Sequence, residues 1–182
     1  MPLEPKTEIE AYAWMLCMHL DAMTHRLRLM PPDKWDWTPA PAAPTARTLT
    51  SHAWQWLICD RQHIAERDVS KHARIPEPPS DPQAMCDALQ EETKKWRTLI
   101  LELTPERLDE ERYQFLPENS LTVRWFVCHM IQNCIYKNGQ FATLFFALGL
   151  DGTELYDAPF PNPIYEQCET MRKADQDSEI IV

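Results

Sequence analysis

The side chains best suited to chemistry lie in two separate segments of the chain. The first segment carries His52 and Asp60, and the second carries His129, Asn133 and Lys137 at four-residue steps. Residues four apart lie on one face of a helix, so a helical second segment presents an imidazole, an amide and an amine in one row. Imidazoles and carboxylates that converge from facing helices can hold a metal ion in the core of a helix bundle.

The histidine pattern nevertheless lacks a self-contained metal motif. None of the six histidines has another histidine four residues away, which is the common spacing on a zinc-binding helix. One Asp-x-x-His motif occurs, at Asp60 and His63, whereas a dimetal carboxylate bundle repeats such a motif and adds further carboxylates. Cys128 and His129 are adjacent and point about 100° apart on a helix, which excludes a hydrogen-bonded nucleophile pair. Three glycines are too few for a phosphate loop or a nucleophile elbow.

Five tryptophans lie near the same segments, in a proline-rich loop and at the starts of two helices. They are Trp35, Trp37, Trp54, Trp56 and Trp125. Trp54 and Trp56 are two residues apart, so they face different sides of a helix. Two interpretations stay open: the indoles pack in the core and under the loop, or some of them, including Trp56, form the aromatic wall of a ligand pocket.

The distribution of glycine and proline predicts the elements that position these side chains. The sixteen prolines cluster between long segments, and only three glycines occur, which is typical of long helices joined by stiff loops. Apolar residues at three- and four-residue steps predict four helices, over residues 7–30, 48–67, 80–103 and 121–149. Ser80 and Gln83 predict a capping box for the third helix, and Ser120 predicts the cap of the fourth. Strand patterns are nearly absent.

Four amphipathic helices without a sheet predict an all-α fold, a four-helix bundle with a long loop between helices 1 and 2. We expect residues 1–150 to form this bundle. Residues 151–182 contain eight acidic residues, two basic residues and three prolines in series. That composition predicts an irregular, acidic extension that packs on the bundle as a strap and frays toward its end.

Charge and cysteine content narrow the classes of partner and compartment. The net charge is −10, and no cationic face is available to release counterions from phosphates, so we expect neither nucleic-acid binding nor an anionic membrane partner. No apolar run is long enough to span a membrane, and the first residues lack a signal-peptide pattern, so a cytoplasmic protein is expected. The six cysteines are interpreted as free thiols in apolar surroundings.

Three patches of the sequence resemble the DinB/YfiT-like superfamily of four-helix metalloenzymes. Residues 37–41, Trp-Thr-Pro-Ala-Pro, resemble the family's W-x-P-x-P loop after helix 1. Residues 45–52, which end in His52, resemble the start of helix 2, where a histidine is the first metal ligand. Asn-Gly-Gln at 138–140 and the apolar residues 141–149 resemble the family's R-G-Q ending and its last turns. The likeness spans residues 7–149.

The resemblance implies two further metal ligands, in an H-x-x-x-H pair that corresponds to Asn133 and Lys137. Of the three implied positions, only His52 carries a residue that commonly binds metals. An asparagine binds soft divalent metals poorly, and a lysine is normally a cation, which repels a metal ion. We therefore expect no metal cofactor. Instead, we expect the Lys137 ammonium to occupy the place of the metal, where His52, Asn133 and an acidic side chain would surround it. The alternative is a shifted zinc or nickel site on His52 and His129, with the metal moved by about one helical turn.

Asp60 and Asp21 are the acidic side chains that the sequence offers to Lys137. An unpaired buried cation would cost several kcal/mol, so either an acid lies close or the amine reaches outward. A third interpretation makes Lys137 a base or nucleophile whose pKa is lowered by burial.

In the first expected function, the protein is a metal-free DinB-like bundle that binds a small molecule or serves as an interaction module. We expect it to be a homodimer. Its pocket candidates are His52, Trp56, His129, Asn133 and Lys137. The alternative that the resemblance implies is a divalent-metal-dependent thiol S-transferase or hydrolase-like enzyme that uses His52, in which a metal lowers the pKa of a thiol and Lys137 binds the thiol's carboxylate. A partner-binding role for the acidic extension, through its last residues 179–182, is a further class.

Overall fold

The computed structural model describes residues 5–113 and 120–150, and these residues are mostly helical. The helices are α1 (Glu8–Leu29), α2 (Ala46–Ala65), α3 (Pro82–Leu101), the short α4 (Pro105–Leu108) and α5 (Val123–Ala147). Two 3-10 turns, Pro32–Lys34 and Val69–Lys71, and two short strands, β1 (Glu111–Tyr113) and β2 (Ser120–Thr122), lie between them. The predicted all-α fold is confirmed.

Polar side chains set the first residues of the long helices. Thr7 begins α1 in a reciprocal capping box, and Thr45 caps α2, which starts two residues before the predicted position. The capping box predicted at Ser80 is wrong. Asp81 caps α3 instead, because its carboxylate accepts a hydrogen bond from the backbone N–H of Ala84 at 2.8 Å.

The residues before α5 form a strand pair that the sequence did not predict. Strand β2 pairs antiparallel with β1, with Glu111 opposite Thr122. Three-residue strands are too short to show an alternating pattern, which explains why the pattern gave no sign of them. Thr122, rather than the predicted Ser120, then caps α5 by accepting from the N–H of Trp125 at 3.3 Å.

The four long helices bury one apolar core. Helices α1 and α2 each pack against both α3 and α5, so they occupy opposite corners of the bundle. Trp96 of α3 is fully buried and donates its indole N–H to the carbonyl of Leu57 at 2.9 Å. Asn138 joins α5 to α1, since its amide accepts from Arg26 at 2.6 Å and donates to the carbonyl of His19 at 2.9 Å.

The cysteines in the described part of the chain are free, as expected. Three of them are buried: Cys17, Cys86 and Cys134. Cys59 is half-buried and Cys128 is exposed. Within the described ranges, no helix is both long and apolar enough to cross a membrane. Cys168 and the predicted extension over residues 151–182 lie outside the described residues.

Candidate functional site

The candidate residues meet where α2 and α5 pack against each other. Asp60 of α2 contacts His129 of α5, and three residues further along α2 His63 stacks on Phe126, three residues earlier on α5. The contacts therefore move in opposite directions along the two helices, which makes α2 and α5 antiparallel. This register brings the start of α2 beside the middle of α5.

On α2, three polar or aromatic candidate side chains lie one helical turn apart. His52 is exposed, Trp56 is half-buried and Asp60 is fully buried. The indole N–H of Trp56 donates to Nε2 of His52 at 3.0 Å. Because that nitrogen accepts a hydrogen bond, its lone pair is directed at the indole. The structure thus brings His52 and Trp56 together at one end of the row and leaves Asp60 at the other.

On α5, the facing row consists of residues at four-residue steps. It contains Trp125, His129, Asn133 and Lys137. Thr122 caps the start of α5. From there, the four-residue spacing places these side chains on one face of the helix, the face toward α2. The row begins with an exposed indole and ends with a buried lysine. All five pocket candidates predicted from the sequence therefore lie on the α2–α5 seam, which we define as the facing rows 52–60 of α2 and 125–137 of α5.

At one end of the seam, His129 and Asp60 form a close pair. Nδ1 of His129 lies 2.6 Å from Oδ2 of Asp60. The carboxylate is fully buried, whereas the imidazole side chain is 24% exposed. Burial raises the pKa of Asp60 above its ordinary value, and the hydrogen bond from His129 acts in the opposite direction.

At the other end of the seam, Lys137 is a buried cation without an acidic partner in the described ranges. The residue is 8% exposed, and its Nζ lies 5.8 Å from the centroid of the exposed Tyr136 ring. Burial lowers the pKa of Lys137 below its ordinary value. The pKa of His52 is also lowered, first by its own desolvation and then by the positive charge of Lys137 and by His129.

Neither acid that the sequence offered is paired with Lys137. Asp60 is hydrogen-bonded to His129, and Asp21 lies 3.7 Å from Arg97 between α1 and α3. The expectation of an acidic neighbour for Lys137 therefore has no counterpart among the described contacts. The ammonium lies 5.8 Å from the centroid of the Tyr136 ring, and burial lowers the pKa of the lysine without an acidic partner among the described residues.

Two acceptor atoms of the seam are enclosed without a hydrogen-bond partner among the described residues. They are Oδ1 of Asp60 and Oδ1 of Asn133. An unpaired buried acceptor is costly, so two such acceptors on the same seam as a buried lysine are more typical of a binding site than of a packed core.

A separate, open cavity of about 370 Å³ lies between α2 and α3. Its cations are Arg61, Lys94 and Lys95, and each is already paired with Glu91 or Glu92 at distances of 2.5–2.9 Å. This cavity therefore lacks the unpaired charge that distinguishes the α2–α5 seam.

Comparison with known proteins identifies the family. Residues 15–141 match the family model described as the DinB superfamily. The chain belongs to the DinB superfamily. This DinB chain is similar to the crystal structure of a DinB-like protein from Bacillus subtilis. The similarity covers 78% of this chain and 93% of the Bacillus protein, with 18% identity and a TM-score of 0.65. A conserved protein from Enterococcus faecalis covers 80% of this chain and 99% of its own length, with 14% identity and a TM-score of 0.63. These similarities show the fold alone, and no curated protein matches the chain.

Among the described residues, the side chains at the implied ligand positions are a poor donor set for a divalent metal ion. In the described ranges, no group of three or more His, Cys, Asp or Glu side chains lies close enough together to hold one. The implied ligand positions carry Asn133 and Lys137, and Nε2 of His52 already accepts from Trp56. The alternative partner, His129, has Nδ1 engaged by Asp60, so it offers only Nε2, and a single imidazole nitrogen is too small a donor set for a zinc site.

The pairing of Asp60 with His129 differs from the sequence-based expectation. The sequence offered Asp60 as one of two possible acids for Lys137, and His129 as an alternative partner of His52, whereas the register of the DinB bundle joins Asp60 to His129. Trp125 belongs to the tryptophan cluster for which core packing and a pocket wall stayed open, and its indole stacks on His129 at 4.9 Å with an interplanar angle of 13°. The four-residue spacing of Trp125 and His129 was the available signal.

Proposed function

We propose that this protein is a metal-free DinB bundle that binds a small carboxylate-bearing molecule at the α2–α5 seam. The observation that carries the proposal is the Lys137 ammonium, which is desolvated and has no acidic partner in the described part of the chain. A carboxylate would supply the missing counter-charge, since a desolvated cation gains more from such a partner than a solvated one.

The surroundings of Lys137 favour a ligand with an apolar or aromatic body. The Tyr136 ring lies beside the ammonium, and the half-buried Trp56 indole lies further along the seam near His52. Aromatic side chains provide apolar contact area and leave the polar groups to orient the ligand. Asn133, one turn from Lys137, adds an amide capable of donating hydrogen bonds.

A nuclear magnetic resonance titration with benzoate tests the proposal, with benzamide as the uncharged ligand of the same shape. We expect benzoate to shift the amide signals of His52, Asn133 and Lys137 in a saturable manner, and benzamide to bind at least about tenfold more weakly. Lys137→Met should abolish the benzoate shifts.

The matched control is Lys94→Met, which removes an exposed lysine of α3 that is paired with Glu91. This variant should bind benzoate as the wild-type protein does. Equal binding of benzoate and benzamide, or wild-type benzoate binding by Lys137→Met, would refute the proposed function.

We also propose that the protein is a homodimer through the outer face of α5. Ile135 and Phe146 are 49% and 60% exposed and lie three turns apart on the same side of the helix. Gly139 lies between them, and a Cβ added there would meet no atom within 4 Å. An apolar stripe with a small central residue allows two helices to approach closely, which supports this assignment.

A further inference from the structure

The Asp60 carboxylate has one described hydrogen-bond partner, the His129 imidazole. Asp60 is fully buried, and its Oδ2 lies 2.6 Å from Nδ1 of His129. An ionised carboxylate only accepts hydrogen bonds, so this contact places the ring proton on Nδ1. Nε2 of a neutral His129 then carries the free lone pair.

Two indoles hold the His129 ring in this orientation. Trp125 stacks on one face of the ring, with 4.9 Å between centroids, and Trp56 meets the ring edge-on at 5.4 Å with an interplanar angle of 82°. Because both contacts constrain the ring plane, the direction of the Nε2 lone pair is fixed. A fixed lone pair costs little reorganisation when a proton arrives.

The second ring nitrogen of His129 remains available. Nε2 makes no hydrogen bond to a described residue, and the side chain is 24% exposed. A buried carboxylate, an oriented imidazole and an open Nε2 are the parts of a general base whose positive charge is stabilised after it takes a proton.

We propose that Asp60 and His129 form a proton-accepting dyad, in which Nε2 of His129 removes the proton of a water molecule or of a ligand hydroxyl at the seam. His129 would touch the reacting group, and Asp60 would act through His129 as a positioning residue. Lys137 takes no part in the dyad. The dyad therefore goes beyond the proposed carboxylate binding, although both sites lie on the same seam.

The activated ester 4-nitrophenyl acetate is a suitable probe of this base. Water attacks the acetyl carbonyl while its proton passes to Nε2 of His129, and the 4-nitrophenolate leaves with the electron pair of the broken ester bond. The products are acetic acid, which ionises to acetate in solution, and 4-nitrophenolate, and the imidazolium returns the proton that it took from water to solvent. The probe carries no carboxylate, so it reports on the dyad independently of Lys137.

We expect His129→Gln to lower the second-order rate of 4-nitrophenyl acetate hydrolysis by at least about tenfold. His25→Gln is the matched control, because His25 is a half-buried histidine of α1 outside the seam, and it should leave the rate unchanged. The wild-type reaction should be slower in D₂O, as expected when proton transfer accompanies attack. Equal rates in the two variants would overturn the proposal.

The decisive result of a second measurement comes from the wild-type protein, so it does not depend on whether a variant folds. Long-range ¹H–¹⁵N spectra of the wild-type protein should show the ring proton of neutral His129 on Nδ1, and Asp60→Asn should raise the fraction protonated on Nε2. A wild-type proton on Nε2 would overturn the dyad. Loss of benzoate binding in Lys137→Met with an unchanged ester rate would support both sites separately, whereas failure of either assay alone would refute only its own site.

Discussion

Replacing Lys137 by methionine should make the protein more stable at neutral pH, although the substitution removes a charged residue from a seam of polar groups. Methionine keeps an unbranched stem of similar length, so the apolar contacts of the buried chain are largely retained. The change removes the ammonium, which is buried and has no acidic partner in the described ranges. If Lys137 were salt-bridged, the same substitution would lower the stability instead, because it would leave an unpaired carboxylate.

The size of the effect follows from the cost of burying an unpaired polar group. We expect a gain of about 1 kcal/mol in the free energy of unfolding, at the lower end of that cost because the ammonium lies near the exposed Tyr136 ring. For a chain of this size, this corresponds to a rise in Tm of roughly 2–4 °C. Lys94→Met, at an exposed ion pair, should change stability by less than about 0.5 kcal/mol.

The pH dependence gives a second test of the same reasoning. Burial lowers the folded-state pKa of Lys137 below its ordinary value of 10.5, so between these two pKa values the unfolded chain binds more protons than the folded one. The destabilisation by Lys137 is therefore fully present below the folded pKa and is lost as the pH rises toward 10.5.

Urea unfolding of both proteins at several pH values up to about 10 measures this difference. We expect the advantage of Lys137→Met to be largest at neutral pH and to shrink at the alkaline end. A methionine variant that is less stable than wild type at pH 7, by about 1 kcal/mol or more, would show that an acid neutralises the ammonium. That result would refute the unpaired-cation reasoning.

The remaining predictions concern the core, the thiols and the dimer. Trp96→Phe should lower stability by about 1–3 kcal/mol in urea unfolding, because the buried carbonyl of Leu57 loses its indole donor. Thiol alkylation followed by peptide mass spectrometry should label the exposed Cys128 quickly. It should leave Cys134 unlabelled until the protein unfolds, because burial raises the pKa of that thiol. Phe146→Glu should convert the expected dimer to a monomer in light scattering, and a wild-type monomer would contradict the dimer proposal.

Local chemistry makes the long helices predictable from the sequence. Thr7 caps α1 as a Thr-x-x-Glu box, and Gly149 follows α5 with a φ of 67°, in the left-handed region that glycine adopts readily. The β1–β2 pair is not predictable in this way, because its three-residue strands are stabilised by pairing with each other, which no local pattern shows. The predicted cap of α3 is wrong by one residue because Ser80 and Asp81 are both good caps.

The site is predictable only within each helix. Four-residue spacing alone places His129, Asn133 and Lys137 in one row. Which residue of α2 faces which residue of α5 depends on the register between the helices, and that register is set by packing across the whole core. The sequence therefore indicates which side chains share a helix face, whereas the pairing of Asp60 with His129 follows only from the register between α2 and α5.

In our proposal, the Lys137 ammonium occupies the position at which the DinB resemblance implies a metal ion. Elemental analysis of the untagged protein, after incubation with zinc or nickel and removal of the unbound ion, tests this claim most directly. We expect less than about a tenth of an equivalent of either metal, because the described part of the seam lacks a sufficient donor set. One equivalent of zinc or nickel that is lost in His52→Ala would contradict the claim.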